Sequence, residues 1–259
     1  LGVVFMIGGL AGAATLLFAR SLIARDLGIE AAGLFSASWG VAMTYVGFLL
    51  GAMAADFYPR LTEVINDRAT SVRLMNDQAQ LGLAIGGPVL LALVGIAPWF
   101  LAILYSSEFV PAAEMLQWQT VGNVLKLASW PMGFAYIAAA RSRIFLATEL
   151  AWNAAFLGLL WVLMPVIGVE AAGMAFMIAY AMYFILLHVL TRRLFEFRWE
   201  RLSLTLIAVH TILASLILAV SRHSPLLAAG VALALAAVTA IAGLRIVVMK
   251  IGPHGRLSN

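Results

Sequence analysis

Eight apolar runs, each near the ~20 residues that a bilayer core requires, alternate along this chain with short polar stretches. They fall at about 1–24, 33–55, 82–104, 113–139, 144–164, 171–190, 204–220 and 226–248. Runs of this length are too long for core strands. The pattern predicts an all-α, polytopic transmembrane bundle of about eight spanning helices. The longest polar connection is Arg60 to Gln78, and Pro59 after Tyr58 reads as the stop of the second helix. Pro88, Pro98 and Pro131 fall inside or near the ends of apolar runs, where each removes a backbone donor. Pro88 and Pro131 are the candidate bending points.

The fourth run breaks its own pattern. At helical spacing Gln119, Asn123, Lys126 and Trp130 share one stripe, at intervals of four, three and four. Lys126 falls near the middle of the run, where a lysine costs about 2.5–3.5 kcal/mol on insertion scales. Such a residue faces a watery cavity or a partner. A cation midway through a membrane suits an anionic group such as a diphosphate, with Asn123 and Gln119 as hydrogen-bonding neighbours. The competing reading is a structural lysine paired with a carboxylate on another helix.

Three further charged residues bear on this site. Arg20, near the outer end of the first helix, is a second candidate for the anion and can also snorkel to the interface. Glu149, early in the fifth helix, is a candidate for cation coupling or for an ion pair with Arg141, Arg143 or another helix. Asp56 lies four residues before Arg60, the spacing of an interfacial ion pair.

Composition agrees with the pattern. Of 259 residues, 64% are hydrophobic and 11% charged, against about 25% charged in soluble domains. There is no cysteine, which excludes disulfides, thiol catalysis and cysteine-ligated metal. His188, His210, His223 and His254 have no ligand spacing, and no cofactor is expected beyond a coupling cation, Na+ or H+. The serines, Ser129 among them, lack a nucleophile context.

The net charge of +4 reports topology, not nucleic-acid binding. Twelve of the sixteen basic residues fall on one side of the eight-span pattern: Arg60, Arg68, Arg73, Arg141, Arg143, Arg192, Arg193, Arg198, Arg201, Arg245, Lys250 and Arg256. The positive-inside rule places that side, and both chain ends, in the cytoplasm. Trp99, Tyr105 and Trp199 fit an interfacial aromatic belt. Gly28-Ile29-Glu30-Ala31-Ala32-Gly33 recurs as Gly168-Val169-Glu170-Ala171-Ala172-Gly173, a repeated structural unit or simple turn punctuation. The chain opens at Leu1 without a signal-type charged segment, and a missing N-terminal portion is expected.

Several strings carry a resemblance: Gly51 to Leu61 (GAMAADFYPRL), Gly87-Pro88, Ala97-Pro98-Trp99, Leu104 to Phe109 (LYSSEF), Gln117-Trp118-Gln119, Trp130 to Phe134 (WPMGF) and Gly168 to Gly173. Together they resemble the C-terminal portion of bacterial polysaccharide flippases of the O-antigen or enterobacterial-common-antigen type, in the multidrug/oligosaccharidyl-lipid/polysaccharide superfamily. The resemblance covers most of residues 1–200. It implies the C-terminal lobe of a two-lobed flippase. Residues 1–200 would form a six-helix bundle, and 201–259 two additional helices with a short cytoplasmic tail. The implied cargo is an undecaprenyl-diphosphate-linked oligosaccharide, crossing the inner membrane by alternating access for cell-surface polysaccharide (lipopolysaccharide) synthesis. The partners implied are the bilayer, the missing N-terminal lobe and polysaccharide polymerase machinery.

Three rivals remain. A multidrug or cation antiporter of the same superfamily needs an acidic, aromatic cavity, and buried carboxylates are scarce here. A membrane-embedded glycan polymerase or ligase needs a sizeable outer loop, and the longest connection lies on the cytoplasmic side. The resemblance implies a transporter and not an enzyme. A structural subunit of a synthesis complex is the third rival.

Overall fold

In a computed structural model residues 2–251 are described, and they form eight α-helices with no strand. These are α1 (Gly2–Leu27), α2 (Ile29–Val64), α3 (Arg68–Leu104), α4 (Ala113–Ala138), α5 (Ser142–Ile167), α6 (Ala171–Phe195), α7 (Arg201–Ser221) and α8 (Pro225–Ile251). Short 3₁₀ segments at Ser107–Ala112 and Gly168–Glu170 lead into α4 and α6. His254 and Arg256 lie outside the described residues. Six stretches are long and apolar enough to cross a membrane; one of them, Ser142–Phe195, contains both α5 and α6. The polar residues of α4 keep it from that set. Large apolar side chains such as Phe18, Phe48, Ile103 and Val166 are exposed, as a lipid-facing surface requires.

Two expectations are corrected. The polar connection from Arg60 to Gln78 is mostly helix. Only residues 65–67 separate α2 from α3, and Asn76, Asp77, Gln78 and Gln80 are buried. Pro59 does not stop α2, which continues to Val64. The fully buried Phe57 and Leu61 on either side hold the helix through the proline. At 36 and 37 residues, α2 and α3 are about 55 Å long, well beyond a ~30 Å hydrocarbon core. Hydropathy ends at the apolar layer, and these helices do not. Asp67 caps α3, accepting bonds from the backbone of Ala69 and Thr70 and from the Thr70 hydroxyl. The Thr70 bonds hold its carboxyl below the ordinary carboxylate value.

The repeated glycine string has partly a structural counterpart. Gly28 and Gly168 both take positive φ, 95° and 64°, at the α1–α2 and α5–α6 junctions. A residue with a Cβ would be strained at either place. The second glycines differ: Gly33 faces open space, while Gly173 lies against the backbone of Met115 in α4.

The spine of the bundle is α3 and α4. Helices α7 and α8 pack along α3, α6 packs along α4, α2 touches both, and α1 joins through α2 and α5. Close approach of α3 to α8 uses small residues: a Cβ on Gly95 would strike Ala232, and one on Gly243 would strike the Ala84 carbonyl. That carbonyl is the one Pro88 leaves without its helical partner. The carbonyl freed by Pro98, Val94 O, instead accepts from Gln117 Nε2 at 2.8 Å. A Cβ on Gly82 would touch Met53 of α2 and come to 4.0 Å from Leu127 O, the carbonyl freed by Pro131.

Polar side chains fasten α7 and α8 at both ends. Asn76 donates to Arg198 O at 3.0 Å and accepts from Glu200 N at 2.8 Å and from Ser203 Oγ at 2.7 Å. Gln80 Nε2 donates to Glu200 Oε2 and Ser203 Oγ, both at 2.9 Å. Beside them Lys250 of α8 pairs with Asp77 of α3, and both are buried. At the far end Gln117 donates to Ser221 Oγ at 2.7 Å, and Arg222 pairs with Glu114. Removing one member of a buried pair leaves an uncompensated charge, at a cost of about 3–5 kcal/mol. Asp77→Leu or Lys250→Met alone should therefore lower the unfolding temperature in detergent sharply. The double variant should recover most of the loss.

Candidate functional site

Lys126 sits midway along α4 and opens into a cavity of about 290 Å³ between α4, α5 and α6. The lining is Lys126, Ser129, Trp130, Gly133 and Phe134 from α4, Phe145 and Glu149 from α5, and Tyr180 and Tyr183 from α6. The ammonium lies 3.3 Å from Met43 Sδ of α2 and 5.6 Å from the centre of the Tyr180 ring. Glu149 Oε1 accepts from the Tyr183 hydroxyl at 2.5 Å. Lys126 and Glu149 thus share one aromatic chamber without a direct ion pair between them. Trp130 and Phe134 pack with tilted rings, their centres 4.4 Å apart, along its wall. Ser129 turns its hydroxyl onto the Lys126 carbonyl at 3.2 Å, which leaves it a lining group and no nucleophile.

The polar stripe of α4 is split by the fold. Asn123 is fully buried and donates to Ala42 O of α2 at 2.9 Å. Gln119 is fully buried with neither amide atom bonded. Both amides face packed protein and are not among the cavity's lining residues. Arg20 is exposed on α1 and is likewise absent from that lining. Asp56 accepts from Arg60 at 3.2 Å within α2. Of the sequence candidates, only Lys126 and Glu149 are brought together. Glu149 faces α4 and α6, while Arg141 and Arg143 are exposed at the start of α5.

Tyr180 and Tyr183 did not stand out in the sequence. Their signal was a pair of phenols three apart in mid-run, where belt tyrosines do not belong. Trp199, between α6 and α7, is half-buried and stacks on Phe184 at 5.7 Å. His210 is buried in the space Gly87 leaves by having no side chain. No group of three or more histidine or acidic residues able to hold a metal occurs among the described residues.

A second cavity, of about 640 Å³, lies between α2 and α3 and is lined mostly by apolar side chains from Val41 to Leu104. It carries no charged group; Thr44, Tyr45 and Tyr105 bring the only hydroxyls among its lining residues.

The fold is that of a multi-pass, all-helical membrane protein with a charged chamber inside it. No protein-family model and no solved structure matches the chain. It is similar to the curated lipid III flippases of Escherichia coli (strain K12) and Shigella flexneri, 24% identical to each over 170 residues. That is 64% of this chain and 39% of each relative, so the chain spans about two fifths of the length of these relatives.

The split stripe separates packing from site. Asn123→Ala should lower thermal stability by about 1 kcal/mol while leaving activity per folded molecule close to native. Lys126→Ala should do the reverse, since it removes a costly half-buried charge. Unfolding curves and activity, both normalised to membrane abundance, separate the two.

Proposed function

We propose that this chain forms part of a flippase that carries an oligosaccharide on a polyprenyl diphosphate across the bacterial inner membrane. The observation behind this reading is a single ammonium, Lys126, presented to an aromatic chamber midway along a helix of the bundle. An ammonium there meets phosphate oxygens with charge-assisted hydrogen bonds. The walls of Trp130, Phe134, Tyr180 and Tyr183 give sugar rings apolar faces to lie on. The greasy cavity between α2 and α3 has the chemistry a polyprenyl tail needs. Similarity to the lipid III flippases supports the same reading.

The finer parts of the proposal are these. Transport proceeds by alternating access, with Pro88 and Pro131 as bending points. The cargo is an O-antigen-type or related cell-surface glycan, and a cation, Na+ or H+, is coupled through Glu149. The remaining wall of the path comes from an N-terminal lobe, both ends of this chain face the cytoplasm, and the protein works beside a polysaccharide polymerase. Gln119 and Arg20 join substrate contact only in a conformation other than this one, while Asn123 holds α4 to α2 through Ala42 O. The protein performs no covalent chemistry.

One observation favours a second reading. Glu149 within an aromatic chamber is what an exporter of cationic drugs requires. Lys126 in the same chamber opposes it.

Loss of a charged hydrogen bond costs about 1.5–3 kcal/mol, or ten- to hundredfold in binding. In cells dependent on this protein for glycan export, Lys126→Ala at native abundance should cut delivery to the periplasmic face by about that factor. Lipid-linked intermediate should accumulate on the cytoplasmic side. Undiminished delivery would remove Lys126 from the site, and drug resistance conferred by the native protein would favour the exporter.

A further inference from the structure

We propose that the α5–α6 pair binds one anionic phospholipid, its phosphate held by Arg141 and Arg143 and one acyl chain laid in the groove between the two helices. The site shares no lining residue with the Lys126 chamber and is independent of the flippase reading.

Two cavities meet at the start of α5. One, of about 550 Å³, is lined by Val4 of α1 and by residues 140–144 of the α4–α5 turn. The other, of about 420 Å³, lies between the helices, with Ile144, Ala147 and Ala151 of α5 on one wall and Leu186 and Leu190 of α6 on the other. Arg143 and Ile144 line both, so the first cavity is continuous with the groove. The groove makes no polar demand on an occupant. The one hydroxyl on its wall, that of Thr148, already donates to Phe145 O at 2.8 Å.

The cations at this end have no protein counter-charge. Arg141 and Arg143 are exposed, and neither pairs with a carboxylate among the described residues. Arg141 lies 5.6 Å from the centre of the Phe195 ring, which holds it beside the last turn of α6. Arg193 follows Leu186 and Leu190 at helical spacing and is exposed at the same end. The carboxylates of α5 and of the end of α6 are engaged: Glu149 accepts from Tyr183, and Glu196 pairs with Arg68. Arg60 and Lys250, by contrast, are matched with Asp56 and Asp77.

Unmatched arginines at the mouth of an apolar groove select a ligand with an anionic head and a hydrocarbon tail. Basic pockets between spanning helices bind anionic lipid head groups. A guanidinium meets phosphate oxygens through two parallel N–H donors. A zwitterionic head adds an ammonium that the same arginines repel. The bound lipid braces α5 against α6, the helices that also bring Glu149, Tyr180 and Tyr183 to the chamber. Thr148 of the groove and Glu149 of the chamber are adjacent in the chain.

The test is native mass spectrometry of the full chain released from detergent. Phosphatidylglycerol and phosphatidylethanolamine with identical acyl chains are the probes. The native protein should retain one phosphatidylglycerol with about tenfold preference, and that lipid should raise the unfolding temperature more than the zwitterionic one. A basic residue beside an anionic lipid is worth about fivefold, so Arg141→Gln combined with Arg143→Gln should bring the two lipids close to parity. Lysine at both positions should keep most of the preference, and Arg245→Gln, which alters an exposed cation of α8, should leave it unchanged. Ala147→Trp, at an exposed position of the groove, should lower retention of both lipids. Equal retention of the two lipids by the native protein, or a preference that survives in the double glutamine variant, would overturn the inference. Glycerol phosphate binding as tightly as the lipid would overturn it as well, by making the site one for phosphate alone.

Discussion

Polar groups on α3 and α4 have little water to turn to, and contacts with α7 and α8 supply many of their partners, although Gln119 of α4 is buried with neither amide atom bonded. Breaks in the helical ladder are tolerated at membrane depth where neighbouring protein covers the freed groups. Here the cover is specific. Gln117 bonds the carbonyl that Pro98 frees, and Gly243 of α8 lies against the one freed by Pro88. The buried end of α3 is treated in the same way: Asn76 and Gln80 bind the start of α7, and Asp77 meets Lys250 of α8. Helices α7 and α8 thus do more than lengthen the bundle. They supply the partners without which the polar residues of α3 would not be stable where they are.

Against that background the Lys126 chamber is an exception. Lys126 and Glu149 have room to pair, yet each rests on neutral neighbours across an open space. Asp77 and Lys250 show that this fold closes buried opposite charges onto each other when their role is structural. An open pair within aromatic walls is instead poised to receive something. That contrast, more than the presence of a lysine alone, is why the chamber reads as a binding site.

Much of this was legible in the sequence. Apolar runs marked every helix, and the isolated Lys126 in the fourth run pointed to the chamber between α4, α5 and α6, because a charge at that depth is costly without a partner or a cavity. The ends of α2 and α3 were not legible, because hydropathy reports the apolar layer and falls silent where a helix continues beyond it. Pro59 misled for a related reason: local rules end the helix there, and the burial of Phe57 and Leu61 carries it on. The split of the α4 stripe was also hidden. Periodicity puts Gln119, Asn123 and Lys126 on one face but cannot say that packed protein covers two of them and leaves the third open. The pairing of Glu149 with Tyr183, 34 residues apart, depends on how α5 packs on α6 and has no local signature.

The most direct test of the account is to see where a diphosphate sits. A cryo-electron microscopy reconstruction of the protein with a polyprenyl diphosphate sugar bound would show it. The account predicts phosphate density within hydrogen-bonding distance of Lys126 Nζ, the ammonium drawn away from Met43, and the sugar against Trp130, Phe134 or the two tyrosines. Head-group density elsewhere, with Lys126 still resting on Met43 and Tyr180, would contradict it.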